Sequence, residues 1–184
     1  MSELATIKDL LEEEIKDLYS AEKQLTKAIP KMVKGSNNEE LSAAFEAHLK
    51  ETEGQIDRLE QVAKLLGTTP SGKKCKGMEG VIAEGAEALD EDGDENVLDL
   101  GIIGAGSRVE HYEMAGYTTA INLAKQLEND EVAELLSENL KEEQAADEKL
   151  RTIGSKILQQ APTEEGSDES DSDEKPKAKA AGRH

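Results

Sequence analysis

Carboxylates and one imidazole stand where helical spacing calls for apolar side chains, in four separate stretches of the chain. Glu22 falls on the line of Leu18, Leu25 and Ile29; His48, Thr52 and Gln55 follow Phe45 in phase, with Glu51 beside them. Glu110 and Glu113 lie between Ile103 and Tyr117, and Glu143 and Asp147 lie between Leu136 and Leu150. Burying several ionised carboxylates together is opposed by desolvation and by like-charge repulsion, so such groups either take up protons or are neutralised by cations. Oxygen ligands with an occasional imidazole suit hard or borderline divalent ions such as Mn²⁺ and Fe²⁺. The expected chemistry is therefore a centre of two divalent metal ions, iron or manganese. Its expected ligands are Glu22, His48, Glu51, Glu110, Glu113, one of Glu142 or Glu143, and Asp147.

Di-metal bundles usually place one Glu on each of two helices and Glu-x-x-His on each of the other two. Here the second helix carries His48-x-x-Glu51, which is reversed, and the last carries Glu143-x-x-x-Asp147 without a histidine. Blander readings stand beside the ligand reading. Glu22 could face solvent, His48 could be a hydrogen-bonded core histidine, and Glu110 or Glu113 could pair with Arg108 or Lys149. Tyr19, Tyr112 and Tyr117 read first as amphipathic core tyrosines. His111 reads as exposed or as a partner of a ligand, and Cys75 as a small buried residue of the long connection.

The elements that must position these groups are helices. Ile7, Leu11, Ile15, Leu18, Leu25, Ile29 and Met32 recur at spacings of three and four and predict a first helix over 4–32, with Pro30 kinking or ending its last turn. Gly35 marks a stop, and Ser36 with Glu39 has the spacing of a capping box for a second helix that ends at Gly67. Residues 68–96 form a long connection with a short helix over 78–89. Third and fourth long helices are predicted over 97–127 and 131–158, separated by a break at Asn129 and Asp130. Each of the four spans roughly 28 residues, about 40 Å at 1.5 Å per residue. Short turn, long crossover, short turn is the order of an all-α, ferritin-like four-helix bundle with one long crossover connection.

An internal repeat supports this layout. An offset of 91 positions lays Leu18 on Val109, Glu22 on Glu113, Asn38 on Asn129, Leu41 on Val132, Phe45 on Leu136, Glu51 on Glu142, Leu59 on Leu150 and Val62 on Ile153. The repeat selects Glu142 as the mate of Glu51, whereas the apolar stripe selects Glu143. In an antiparallel hairpin turning near 36 and 37, the residue level with Glu22 is about 51. In one turning near 128, the residue level with Glu113 is about 143. All the carboxylates then converge at one height.

Composition narrows the function. A net charge of -19, from 41 acidic against 22 basic residues, argues against nucleic-acid binding through a basic face. Aromatics are 2% of the chain, so the core must rest on Leu, Ile, Val and Ala, which suits helix on helix. One cysteine excludes an internal disulfide framework. No stretch approaches the length of a membrane span, and a cytoplasmic protein is expected. The bundle is expected over 1–160; residues 161–184 lack apolar periodicity and are expected to form a disordered tail. Apolar residues left over at Leu10, Val33 and Leu65 lead us to expect a homodimer.

The segments LYSAEKQL at 18–25, HLKETEGQI at 48–56, VEHYEMAGY at 109–117 and KEEQAADEKL at 141–150, with Cys75, Met78, Glu79 and Gly80 in the connection, resemble the YciE/YciF ferritin-like family. The resemblance covers about 4–158. It implies a ferritin-like bundle, commonly dimeric, linked to stress responses in bacteria and archaea, with a di-iron or manganese site. The function expected from both lines is a di-metal oxidoreductase acting on O₂ or H₂O₂, of a catalase-like or peroxidase-like kind. The alternative is a non-catalytic metal-binding or structural helical dimer.

Overall fold

The computed structural model describes residues 4–163 and contains five helices, with no strand among the described residues. They are α1 (Ile7–Gly35), α2 (Glu39–Leu66), α3 (Lys76–Leu89), α4 (Glu95–Gln126) and α5 (Asp130–Leu158). The expected tail therefore lies almost wholly outside the described residues.

Local chemistry fixes where each helix starts. Thr6 caps α1 in a reciprocal capping box with Asp9. Asn38 caps α2 by accepting from the Leu41 amide, and Asn129 caps α5 by accepting from the Val132 amide. These caps are related by the same 91-residue offset as the helices they open. The expected capping box at Ser36 does not form. Ser36 instead closes α1, its amide and hydroxyl both bonded to the Met32 carbonyl. Helix α1 also runs through Pro30 as far as Gly35, because only the single hydrogen bond to the Thr26 carbonyl is forfeited. At the other end of α2, Gly67 takes a left-handed φ of 74° that an L side chain adopts poorly.

Helices α1 and α2 pair across their short turn, as do α4 and α5, and the pairs meet through α2 with α5 and α1 with α4. Helix α3, inside the connection, lies against α4 and α1. The result is a helical bundle. Its apolar core falls into two clusters rather than one. The first gathers Leu25, Ile29, Leu41, Phe45, Met78, Val109, Leu150 and Ile153. The second gathers Leu11, Ile15, Leu18, Leu59, Val62, Tyr117, Val132 and Leu136. Every long helix crosses from one cluster to the other, and the crossings fall at Glu22, at His48 to Gln55, at Glu110 and Glu113, and at Asn139 to Asp147. A buried polar layer thus separates two apolar cores.

Glycines bring the helices close on both sides of that layer. A Cβ at Gly106 would stand 2.9 Å from a Leu150 methyl, and one at Gly116 2.8 Å from a Leu18 methyl. Among the described residues no helix is long and apolar enough to cross a membrane.

Candidate metal centre

Four side chains from three helices meet in the polar layer: His48 from α2, Glu110 and Glu113 from α4, and Glu143 from α5. One ligand atom from each lies within 4.8 Å of all the others. All four are buried, Glu113 and Glu143 completely. His48 Nε2 stands 3.4 Å from Glu110 and 3.7 Å from Glu143. On its other side, Nδ1 lies 3.3 Å from the Glu51 carboxylate one turn further along α2. With Glu51 accepting at Nδ1, the neutral imidazole presents its Nε2 lone pair to the cluster.

The carboxylates have few partners of their own. Glu110 Oε2, both oxygens of Glu113, both oxygens of Glu143 and His48 Nε2 are buried without a hydrogen bond. Native proteins rarely leave such atoms unpaired, since each unmet buried polar group costs about 1–3 kcal/mol. Burial, followed for Glu113 by the charge of Glu22 and for Glu143 by its contact with Glu110, pushes both groups well above the usual carboxylate range. Burial likewise raises Glu110 to about 7. Burial alone would lower the pKa of His48, but the Glu51 hydrogen bond and the charges of Glu143 and Glu22 carry it above its ordinary value. Oxygen donors plus one imidazole, gathered and unpartnered, fit a hard or borderline divalent cation.

The other expected ligands take different places. Glu22 is fully buried beside the cluster, raised by its own burial and by the Glu143 charge, and accepts a hydrogen bond from the Tyr117 hydroxyl. Glu51 is 45% exposed and contacts His48 rather than the cluster. Glu142 turns outward to the Arg58 guanidinium, so Glu143 is the acidic residue that α5 delivers. Asp147 is buried, but one oxygen pairs with Arg151 at 3.1 Å and lies 3.6 Å from the exposed His111. Tyr112 points away, bonding Cys75 and Asp17, while Tyr19 bonds Glu60 at the surface.

Asn139 and Arg58 were not legible as site residues. Asn139 is fully buried, donates to the Tyr117 hydroxyl at 2.9 Å and accepts from Arg58 Nε. Its signal was its place midway between Leu136 and Glu143 on the buried line of α5.

A cleft of about 390 Å³ between α2 and α5 leads to the cluster. Ala43, Ala47, Ala146 and Leu150 are among its walls, and His48 and Glu110 are reached at its inner end.

Fold and site together define an all-helical protein with a buried histidine–carboxylate cluster in the layer between two apolar cores. The chain belongs to the DUF892 family, described as a domain of unknown function, which it matches over residues 6–162. It is 45% identical over 151 residues to protein YciF of Escherichia coli (strain K12), covering 82% of this chain and 91% of that one. The crystal structure of the E. coli stress protein YciF superimposes with a TM-score of 0.83 at 42% identity, covering 86% of this chain and all of that one. YcfI from Rhodopseudomonas palustris superimposes with a TM-score of 0.79 at 45% identity, over 82% of this chain and 96% of that one. A protein from Xanthomonas campestris pv. campestris, 21% identical with a TM-score of 0.66 over 83% of this chain and 94% of its own, shares the fold.

Proposed function

We propose that this chain is a metal-dependent stress-response protein of ferritin-like connectivity, in which His48, Glu110, Glu113 and Glu143 hold divalent iron or manganese that reacts with O₂ or H₂O₂. The observation that carries the reading is the set of six buried, unpartnered ligand atoms on those four side chains. An apolar set of similar volume would stabilise the bundle better than buried charges do, so the layer is best explained by a use. The bound metal would supply the electrons and the Lewis acidity that oxygen chemistry needs.

The protein's own groups prepare the place for it. Glu51 holds the imidazole so that Nε2 faces inward. The cleft, walled in part by alanines, offers a small oxidant an approach to His48 and Glu110, and the two apolar clusters flank the layer above and below. A non-catalytic, structural reading draws support from His48 itself, whose imidazolium could neutralise part of the layer without any metal.

Metal analysis of the chain reconstituted with Fe²⁺ or Mn²⁺, followed by peroxide consumption, tests the proposal. Stoichiometric metal and turnover, both lost in Glu113→Gln, are expected. Metal without turnover would favour the non-catalytic reading, and no metal at all would remove the proposed function.

A further inference from the structure

The pseudo-repeat asks the polar layer for more symmetry than it has. The offset that pairs Glu22 with Glu113 also pairs His48 with Asn139 and Thr52 with Glu143. Two equivalent ions would need matching ligands on both sides. On one side stand His48, Glu110, Glu113 and Glu143, with Nε2 and the carboxylate oxygens unpartnered. On the other, the place of the imidazole belongs to an amide that is already engaged. Asn139 Oδ1 accepts from Arg58 Nε, and its Nδ2 donates to the Tyr117 hydroxyl and lies 3.4 Å from the Gln55 carbonyl. Tyr117 in turn donates to Glu22 Oε1, so the unpartnered atoms there are one carboxylate oxygen, Glu22 Oε2, and the neutral side-chain groups of Thr52 and Gln55.

A chain of hydrogen bonds thus runs from Arg58 through Asn139 and Tyr117 to Glu22. Its members are poor ligands as they stand. An amide nitrogen has no lone pair to give, the amide oxygen is held by a guanidinium, and the phenol is spending its proton on the carboxylate. The Arg58 guanidinium is itself paired with Glu142, so it fixes the Asn139 amide in place and adds little net charge to that side. The cleft follows the same asymmetry, since His48 and Glu110 line it and Glu22, Asn139 and Tyr117 do not.

We propose that the two metal positions of this bundle are unequal: one ion is held tightly by His48, Glu110, Glu113 and Glu143 and faces the cleft, and a second, on the Glu22 side, is held weakly and exchanges. The inference rests on the reading above that the layer binds divalent metal. It places the persistent ion on the side that an incoming molecule reaches, and makes the Glu22 side the one that fills and empties.

Titration of the full, chelator-treated chain with Mn²⁺ alone, followed by calorimetry and by the EPR signal of free Mn²⁺, reads the two positions directly. One tight event per chain is expected, with a second at least roughly 100-fold weaker, because even the loss of a supporting contact to a ligand costs 10–100-fold. Glu22→Gln should abolish the weak event and spare the tight one, while His48→Gln should weaken the tight one. Circular dichroism and thermal melting of each variant check that the bundle persists. If His48→Gln does not fold, the Glu22→Gln arm still decides. Two events of equal affinity, or loss of the tight event in Glu22→Gln with the fold intact, would overturn the inference while leaving metal binding in place. No Mn²⁺ or Fe²⁺ uptake by the wild type would overturn the functional reading, and the inference would fall with it.

Discussion

Glu51 lies 3.3 Å from Nδ1 of His48, so a partly exposed carboxylate orients a buried imidazole from one helical turn away. Because Glu51 itself is outside the cluster, its removal should separate orientation from ligation. Glu51→Ala is expected to weaken metal binding roughly 10- to 100-fold. Stability without metal should fall by about 1–3 kcal/mol, because Nδ1 of the buried imidazole loses its acceptor. Parallel Mn²⁺ titration and urea unfolding check both halves, and an unchanged affinity would mean that packing alone holds the ring.

The buried carboxylates make the metal-free protein sensitive to pH in an unusual direction. Glu110 has a folded pKa of about 7 against 4.5 for the ordinary group. Between those values the folded chain binds more protons than the unfolded one, so stability is full below about 4.5 and is lost as pH rises through about 7. At about 1.36 kcal/mol per unit this group alone amounts to roughly 3 kcal/mol. Glu22, Glu113 and Glu143, raised chiefly by burial, act in the same direction. Glu40, held low by hydrogen bonds from Lys156 and Lys149, acts oppositely but only below its ordinary value, so the two windows do not overlap. The urea midpoint of chelated protein should therefore be higher near pH 5 than near pH 7.5, and Mn²⁺ should flatten the difference by replacing the protons. A midpoint that rises with pH in the chelated protein would contradict this.

Much of this arrangement could be read from residue spacing. Stripes at three and four residues placed the long helices, and the repeat paired Asn38 with Asn129, although the cap was expected at Ser36 and the structure puts it at Asn38. Spacing could not choose between Glu142 and Glu143, because adjacent residues differ by about 100° around a helix and two patterns pulled in opposite directions. In the fold the apolar stripe prevails. Leu136, Asn139, Glu143, Asp147 and Leu150 share the buried line of α5, and Glu142 rotates out to Arg58. The Arg58 contact was invisible because it joins residues 84 positions apart. Val33, expected to contribute free apolar surface, is instead half-buried against the first core cluster.

Asp99 is a second long-range contact that no local pattern announces. It is buried on α4, and its two oxygens accept from the backbone amides of Asn37 and Asn38, each at 2.8 Å. The turn between α1 and α2 is thereby tied to the other helix pair, and two amides near the start of α2 are satisfied by a charge. Asp99→Ala should leave both amides without that acceptor and destabilise the protein by roughly 2–4 kcal/mol, since hydrogen bonds to charged groups are worth about 1.5–3 kcal/mol each and water recovers part of the loss. Asp99→Asn, which keeps one acceptor oxygen, should lie between. Urea unfolding of the three proteins orders them, and equal midpoints would show that the turn holds itself.

The homodimer expected from the amphipathic helices remains a proposal, and the exposed apolar residues say where to test it. Ile7 and Leu10, at the start of α1, and Leu65, at the end of α2, are 43%, 36% and 43% exposed. In a helix pair joined by a short turn those two ends are level, so the three side chains lie at one end of the pair. Scattered single apolar residues mean little, but several at one end of the bundle, with Leu65 bordering a cleft it shares with Leu135 of α5, offer apolar surface that a second copy would cover. Leu10→Glu with Leu65→Glu would place like charges on both sides of such an interface without entering either core. Wild-type protein should sediment as a dimer at micromolar concentration, and the double variant should shift toward monomer with its helicity unchanged. A wild-type monomer throughout that range would remove the dimer, and a dimer indifferent to both changes would move its interface elsewhere on the bundle.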